Sequence, residues 1–192
     1  KQLQQKLNVP IGLINTSWGG TAAEVWTPEE LVEKDPELKS AAAKIGATNW
    51  WPNAPGRAYN AMIAPITSFN IAGAIWYQGE SNADNKADAI EYNRLFPAMI
   101  RDWRQRWGQG EFPFLFVQLA SFGAIQSQPA DANWGYLREA QSATLSLPNT
   151  GMAVTTDIGN PFNIHPVQKQ EVGERLAAEA MRVVYGKPNL LS

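Results

Sequence analysis

Short apolar runs alternating with longer stretches of helical spacing restrict this chain to a parallel sheet wrapped in helices. Residues 9–15, 72–77, 112–119 and 152–156 are apolar almost throughout, the pattern of strands buried on both faces. After the second run, Tyr92, Leu95, Phe96, Met99, Ile100, Trp103 and Trp107 recur at helical spacing. Pro97, inside that series, is expected to start or kink a turn. After the fourth run, Val172, Leu176, Ala180 and Val184 share one helical face, with Pro166 at a favourable first helical position. Strand, helix, strand, helix predicts an α/β fold whose mainly parallel sheet is covered on both sides. Residues 46–60, rich in Gly, Pro, Asn and Trp, read as an irregular surface excursion within a single domain spanning residues 1–192.

Composition removes several classes of function. A chain of 192 residues with 44% apolar and 18% charged residues can bury a sizeable core. A net charge of −2, scattered along the chain, lacks the basic footprint that dominates nucleic-acid affinity. The one basic cluster, Arg101, Arg104 and Arg106 beside Trp103 and Trp107, reads as a solvated helix face backed by a core stripe. The absence of cysteine excludes disulfides and thiolate catalysis. With a single histidine, a zinc site would need carboxylates for most of its ligands, so no metal or other cofactor is expected. No apolar run approaches the roughly 18 residues of a membrane-spanning helix. No signal peptide opens the chain, and composition leaves the compartment unread.

In a parallel sheet, ligands gather beyond the carboxyl ends of the strands. The loop after the first run contains Asn15-Thr-Ser-Trp-Gly-Gly-Thr21, where Gly19 and Gly20 can present N–H groups unobstructed, as one half of an oxyanion hole requires. Gln78 follows the second run and carries a carboxamide able to donate to the same developing charge. Glu80 can orient a neighbouring donor or act as an acid or base. The sole histidine, His165, lies in the loop after the fourth run, and imidazole is the group suited to proton transfer near neutral pH. Its alternative role is a helix-start histidine bonded to backbone.

Ile11-Gly-Leu-Ile-Asn-Thr-Ser-Trp-Gly-Gly-Thr21, Tyr59-Asn-Ala-Met-Ile-Ala-Pro65, Ile75-Trp-Tyr-Gln-Gly-Glu-Ser-Asn82, Leu137-Arg-Glu-Ala-Gln141 and Ile164-His-Pro-Val-Gln-Lys-Gln170 resemble, in order, blocks of the sialate O-acetylesterase family of SGNH hydrolases. The resemblance implies a three-layer flavodoxin-like fold that removes acetyl groups from sugar hydroxyls through a serine nucleophile and an acyl-enzyme. It assigns His165 as general base. It builds the oxyanion hole from the nucleophile's own N–H, Gly19 or Gly20, and Gln78. It also suggests a periplasmic or secreted setting.

Two features depart from the family. The nucleophile's Gly-Gln-Ser-Asn block is absent from this sequence, and residues 1–8 read as the end of a helix already under way. The chain therefore reads as the carboxyl-terminal part of a longer domain, its first strand missing. The missing segment is then a candidate partner for an open sheet edge. Asn163 stands where many relatives carry an acidic residue, so Asp157, Glu80, another carboxylate or none completes the triad. Ser17, beside the Gly-Gly turn, is the alternative nucleophile, although the resemblance gives its loop to oxyanion support. Asn15-Thr-Ser17 also fits a glycosylation pattern. Trp18, Trp26, Trp50, Trp51 and Trp134 are candidate carbohydrate platforms, while Trp76, Trp103 and Trp107 read as core. Arg138 matches a recurrent family arginine and is a candidate substrate contact. Two other functions fit the same residues: an inactive, esterase-derived carbohydrate-binding domain, and a glycosidase using Glu80 as one of two carboxylates.

Overall fold

Phe114-Leu-Phe-Val117 is buried at every position, and in the computed structural model of the protein it forms the middle strand of a three-stranded parallel sheet. The structure describes residues 1–45, 51–128 and 130–187. In chain order the elements are α1 (Gln2–Leu7), α2 (Glu29–Lys34), α3 (Pro36–Ala42), β1 (Ala74–Trp76), α4 (Lys86–Trp107), β2 (Phe114–Val117), α5 (Asn133–Ala143), β3 (Thr150–Ala153) and α6 (Lys169–Val183). The strands lie side by side as β1-β2-β3, with Ala74 opposite Phe114 and Phe114 opposite Thr150.

Alternating residues of β2 serve two layers, as the two-residue period of a strand dictates. Phe114 and Phe116 meet Phe96 of α4 edge-on, with ring centroids 5.9 and 5.1 Å apart. Val117 points the other way and packs with Ala153 and Val172 of α6. Helices α4 and α5 pack together on the first face, and α6, with α1 against it, covers the second. This is the three-layer α/β arrangement read from the sequence.

Three local expectations are corrected. Pro97 does not start a separate turn, because α4 runs 22 residues through it. The ring's cost, roughly 3 kcal/mol, is outweighed by the burial of Leu95, Phe96, Met99 and Ile100 around it. Pro166 precedes the last helix instead of opening it, since α6 starts at Lys169. Residues 57–60, the end of the irregular excursion, are helical and open a helical stretch that runs to 66, with a π-helical turn at Tyr59–Ile63 that buries Tyr59 and Ile63.

The largest departure concerns residues 9–15, which form no strand. Their backbone pairs with nothing among the described residues, and Leu13 is 84% exposed. A strand without a neighbour has no ladder to join. The outer edge of β1 is likewise unpaired among the described residues, and its Ile75 is 64% exposed.

Arg104 also leaves its expected place on a solvated face. Its guanidinium is buried and donates to the carbonyl of Phe112 from Nε (3.0 Å) and Nη2 (2.9 Å) and to that of Pro148 (2.8 Å), with Glu111 at 2.5 Å. It thereby staples the end of α4 to the segments entering β2 and β3. Arg104→Met should lower stability by about 3 kcal/mol, since it leaves these carbonyls without their charged donor. Urea denaturation monitored by tryptophan fluorescence checks this.

Candidate active site

Trp76 starts a buried chain of hydrogen bonds that ends at Glu24. The Trp76 indole donates to the Tyr92 hydroxyl (3.1 Å), which donates to Gln78 Oε1 (3.0 Å). Gln78 Nε2 donates to Asn82 Oδ1 (2.7 Å) and to the Thr21 carbonyl (3.1 Å). Asn82 Nδ2 in turn donates to the Glu24 carboxylate (2.9 and 3.1 Å). Burial pushes the Glu24 carboxyl above its ordinary value and the Tyr92 phenol likewise upward. Both N–H bonds of Gln78 are thus engaged inside the protein. In this geometry Gln78 ties the Thr21–Glu24 loop to the end of β1, and donating to an oxyanion would require one of these bonds to open.

Gln141 holds the same strand ends from the other side. Its Nε2 donates to the carbonyls of Gln78 and Val117 (3.2 Å each), and its Oε1 accepts from the Leu119 N–H (2.9 Å). Between Gln78 and Glu80, Gly79 adopts φ 148°, and a Cβ there would lie 2.5 Å from Leu137 Cδ2. Sequence reading singled out none of Glu24, Asn82, Tyr92 or Gln141 for a role. The signal available was a carboxylate in an otherwise apolar Ala22-Ala-Glu-Val-Trp26 run, which must be satisfied internally if that run is buried.

The Gly-Gly turn sits against this network. Ser81 Oγ donates to the Gly20 carbonyl (3.0 Å), so Gly20 and Gln78 are fixed to one short segment, 78–82. Gly20 has φ 77°, and the Trp51 indole lies so close that a Cβ would meet its ring at 2.8 Å. The N–H groups of Gly19 and Gly20 donate to nothing among the described residues, and the space around Gly19 is open.

His165 is exposed in the loop that leaves β3. Lys169, four residues on, has its Nζ 3.4 Å from the Tyr77 hydroxyl and 4.5 Å above the Tyr77 ring, which ties this segment to the residue preceding Gln78. Burial, reinforced by the Glu80 charge, pushes the Tyr77 phenol up to about 12. Glu80 itself is half-buried at the start of a 3₁₀ turn.

The two candidate partners of the imidazole each have another partner in this structure. Asp157 is held bidentately by Arg175 (2.5 and 2.6 Å), which also donates to the Val154 carbonyl (2.5 Å). Asn163 Oδ1 accepts from the backbone N–H of His165 (2.9 Å), closing a local turn. Both are engaged elsewhere in this structure, Asp157 by a guanidinium and Asn163 Oδ1 by the backbone of its own loop. Ser17 Oγ donates to Asn15 Oδ1 (2.7 Å), so its proton is engaged within its own loop. Arg138 is partly exposed on α5, and its guanidinium has no ion-pair partner among the described residues.

The tryptophans divide in two. Trp26 is core, edge-on to Trp76 with its indole donating to Thr21 Oγ1 (2.8 Å), and Trp134 is half-buried with its indole on the Ala120 carbonyl (2.7 Å). Trp18 and Trp51 are exposed, and Trp50 lies outside the described residues. Among the described residues, no group of three or more His, Asp or Glu side chains is placed to hold a metal ion.

Arg175 holds the Asp157 carboxyl down to about 2. The pair therefore contributes fully above the ordinary carboxylate value of about 3.9 and loses its contribution as pH falls towards about 2. Asp157→Asn should lower Tm at neutral pH, and the gap from wild type should close between about pH 5 and about pH 2, measured by calorimetry.

Comparison with known proteins agrees with this architecture. Residues 1–182 match the family described as carbohydrate esterase, sialic acid-specific acetylesterase. Sialate O-acetylesterases of Pongo abelii and Mus musculus are 36% and 34% identical, each over 99% of this chain. The chain spans 39% and 42% of those relatives' length. A crystal structure of a carbohydrate acetylesterase from Xanthomonas citri superposes with a TM-score of 0.82 at 43% identity, covering 97% of this chain and 40% of that one. The chain belongs to the sialic acid-specific acetylesterase family of carbohydrate esterases.

Proposed function

We propose that this chain forms the larger part of the catalytic domain of a carbohydrate O-acetylesterase, with the nucleophilic serine supplied by a strand from outside residues 1–192. The observation that carries the reading is the unpaired outer edge of β1. It lies at the strand whose carboxyl end leads into Gln78 and Glu80, and the apolar residues 9–15 also lack a backbone partner among the described residues. A parallel strand on that edge would cover Ile75 and deliver its carboxyl end beside Gly19, Gly20 and the His165 segment.

In this reading the serine hydroxyl attacks the acetyl carbonyl while His165 accepts its proton. The negative charge on the carbonyl oxygen falls to N–H donors, with Gly19 and Gly20 the open candidates in this chain. Collapse breaks the ester bond, and His165 returns its proton to the departing sugar hydroxyl. Water, activated by the same imidazole, then attacks the acetyl-enzyme, releasing acetate and restoring the serine. The glycosidase reading is weakened because Glu24, the carboxylate on the adjoining loop, is 3% exposed and bonded to Asn82.

Residues 1–192 alone should not hydrolyse an aryl acetate, whereas the chain extended upstream through a strand bearing Gly-Gln-Ser-Asn should. Activity in the shorter chain that vanishes on Ser17→Ala would overturn this assignment. Turnover of aryl glycosides without aryl acetates would do the same.

A further inference from the structure

The imidazole of His165 stands in a segment that does little to hold itself still. Among the described residues, the hydrogen bonds of residues 160–167 run only within the segment and to Lys169: Asn160 accepts from the N–H groups of Phe162 (2.8 Å) and Asn163 (3.4 Å), Asn163 Oδ1 from His165, and the Val167 carbonyl from Lys169 (2.8 Å). The chain just before it is firmly held. Ser121 Oγ donates to the Thr156 carbonyl (2.7 Å), Arg175 chelates Asp157, and Gly159 lies so close to the Ser121 backbone that a Cβ would collide with its carbonyl oxygen. At the far end Pro166 is buried, and Lys169 reaches out of the segment to Tyr77, its Nζ 3.4 Å from the hydroxyl and 4.5 Å above the ring. We infer that Lys169 is a positioning residue, whose contact with Tyr77 sets the His165 imidazole for proton transfer; the inference rests on the esterase reading and deepens it.

The two partners belong to strands that do not touch. Tyr77 follows β1, Lys169 follows the loop that leaves β3, and β2 lies between. Parallel strands stand about 4.8 Å apart, so the contact links parts of the sheet about 10 Å from each other. This matters because nucleophile and base are fixed to different strands. In the esterase reading the serine strand pairs with β1 while His165 hangs from β3, so a bond between Tyr77 and Lys169 sets one frame against the other. A proton passes only between heavy atoms about 3 Å apart, and an error of about 1 Å costs about 100-fold in rate. Helix α6 itself gains nothing from the lysine. It opens on Lys169 with no side-chain cap, and a cation there opposes the helix dipole. Local preference yields here to a contact across the sheet, as it does at functional sites. A cation over a partly exposed tyrosine adds little to stability, so its loss should appear in the rate before it appears in Tm.

The test follows phenyl acetate hydrolysis by the chain extended through the serine strand. Lys169→Met keeps the apolar stem and removes the ammonium, and kcat should fall about 10–100-fold with KM within about twofold. Tm should stay within about 1 °C of wild type. Lys169→Arg, which returns a cation to the ring, should recover most of the rate. Tyr77→Leu should slow kcat as Lys169→Met does, and the double variant should be no slower than the slower single one, because both remove the same contact. The imidazole signal, identified by NMR as the one lost in His165→Ala, should narrow in Lys169→Met as the ring gains freedom. Unchanged kcat in Lys169→Met, additive losses in the double variant, or no recovery with Lys169→Arg overturns the proposal. So does a lowered Tm with an unchanged imidazole linewidth, which would make the contact structural only. A wild-type extended chain that leaves phenyl acetate intact sinks the esterase reading instead, and the imidazole linewidth then still decides whether Lys169 holds the segment.

Discussion

Gly79→Ala should destabilise the fold by about 2–5 kcal/mol, more than any exposed substitution in the chain. Two costs act together. The residue's φ of 148° is one that a side chain rarely adopts, and the new Cβ would sit 2.5 Å from Leu137 Cδ2 and 3.2 Å from Leu119 Cγ. Leu137 is fully buried, so it cannot swing away into solvent. The comparison is Gly19→Ala, where nothing lies within 4 Å of the added carbon and stability should change by less than about 0.5 kcal/mol. Urea midpoints for the two variants check the contrast, and a Gly79→Ala protein as stable as wild type would mean that the β1 turn relaxes freely.

His165→Ala, in the chain extended to include the serine strand, should lower kcat for an aryl acetate by about 10²–10⁴ with KM nearly unchanged. Within residues 1–192 no second imidazole can take over, since His165 is their only histidine. Gln78→Ala gives a different signature. An oxyanion donor lost by itself lowers kcat and leaves stability intact, but Gln78 joins Tyr92, Asn82 and the Thr21 carbonyl, so its loss should depress Tm as well. A Gln78→Ala enzyme with wild-type Tm and a kcat lowered about 10²–10³ would return Gln78 to the oxyanion hole.

The fold was legible where burial alone decides structure. Phe114–Val117 is apolar at each position and became the central strand, and the Tyr92–Trp107 series predicted the core face of α4 correctly. Residues 9–15 carry the same apolar signal yet form no strand, because strand formation needs a neighbour and composition cannot report one. Arg104 misled for a related reason: three arginines in six positions look solvated, but helical rotation turns one of them into the core, where backbone carbonyls receive it. At the site, the strand-end loops were identifiable from order alone. The pairings Asn82 to Glu24 and Asp157 to Arg175 were not, since each joins residues whose proximity is set by tertiary structure.

The strand order β1-β2-β3 repeats the order of the chain, so each strand pairs with the next one along and the sheet needs no distant segment to begin assembling. Each pairing spans one helical crossover, Ala74 to Phe114 and Phe114 to Thr150, which closes more slowly than a hairpin but independently of any other segment. The exposed edge of β1 is then a template completed before its occupant is required. A strand arriving there would add to a finished surface by docking, so the rate at which activity appears on mixing should rise with the concentration of the added segment and not with the refolding rate of residues 1–192.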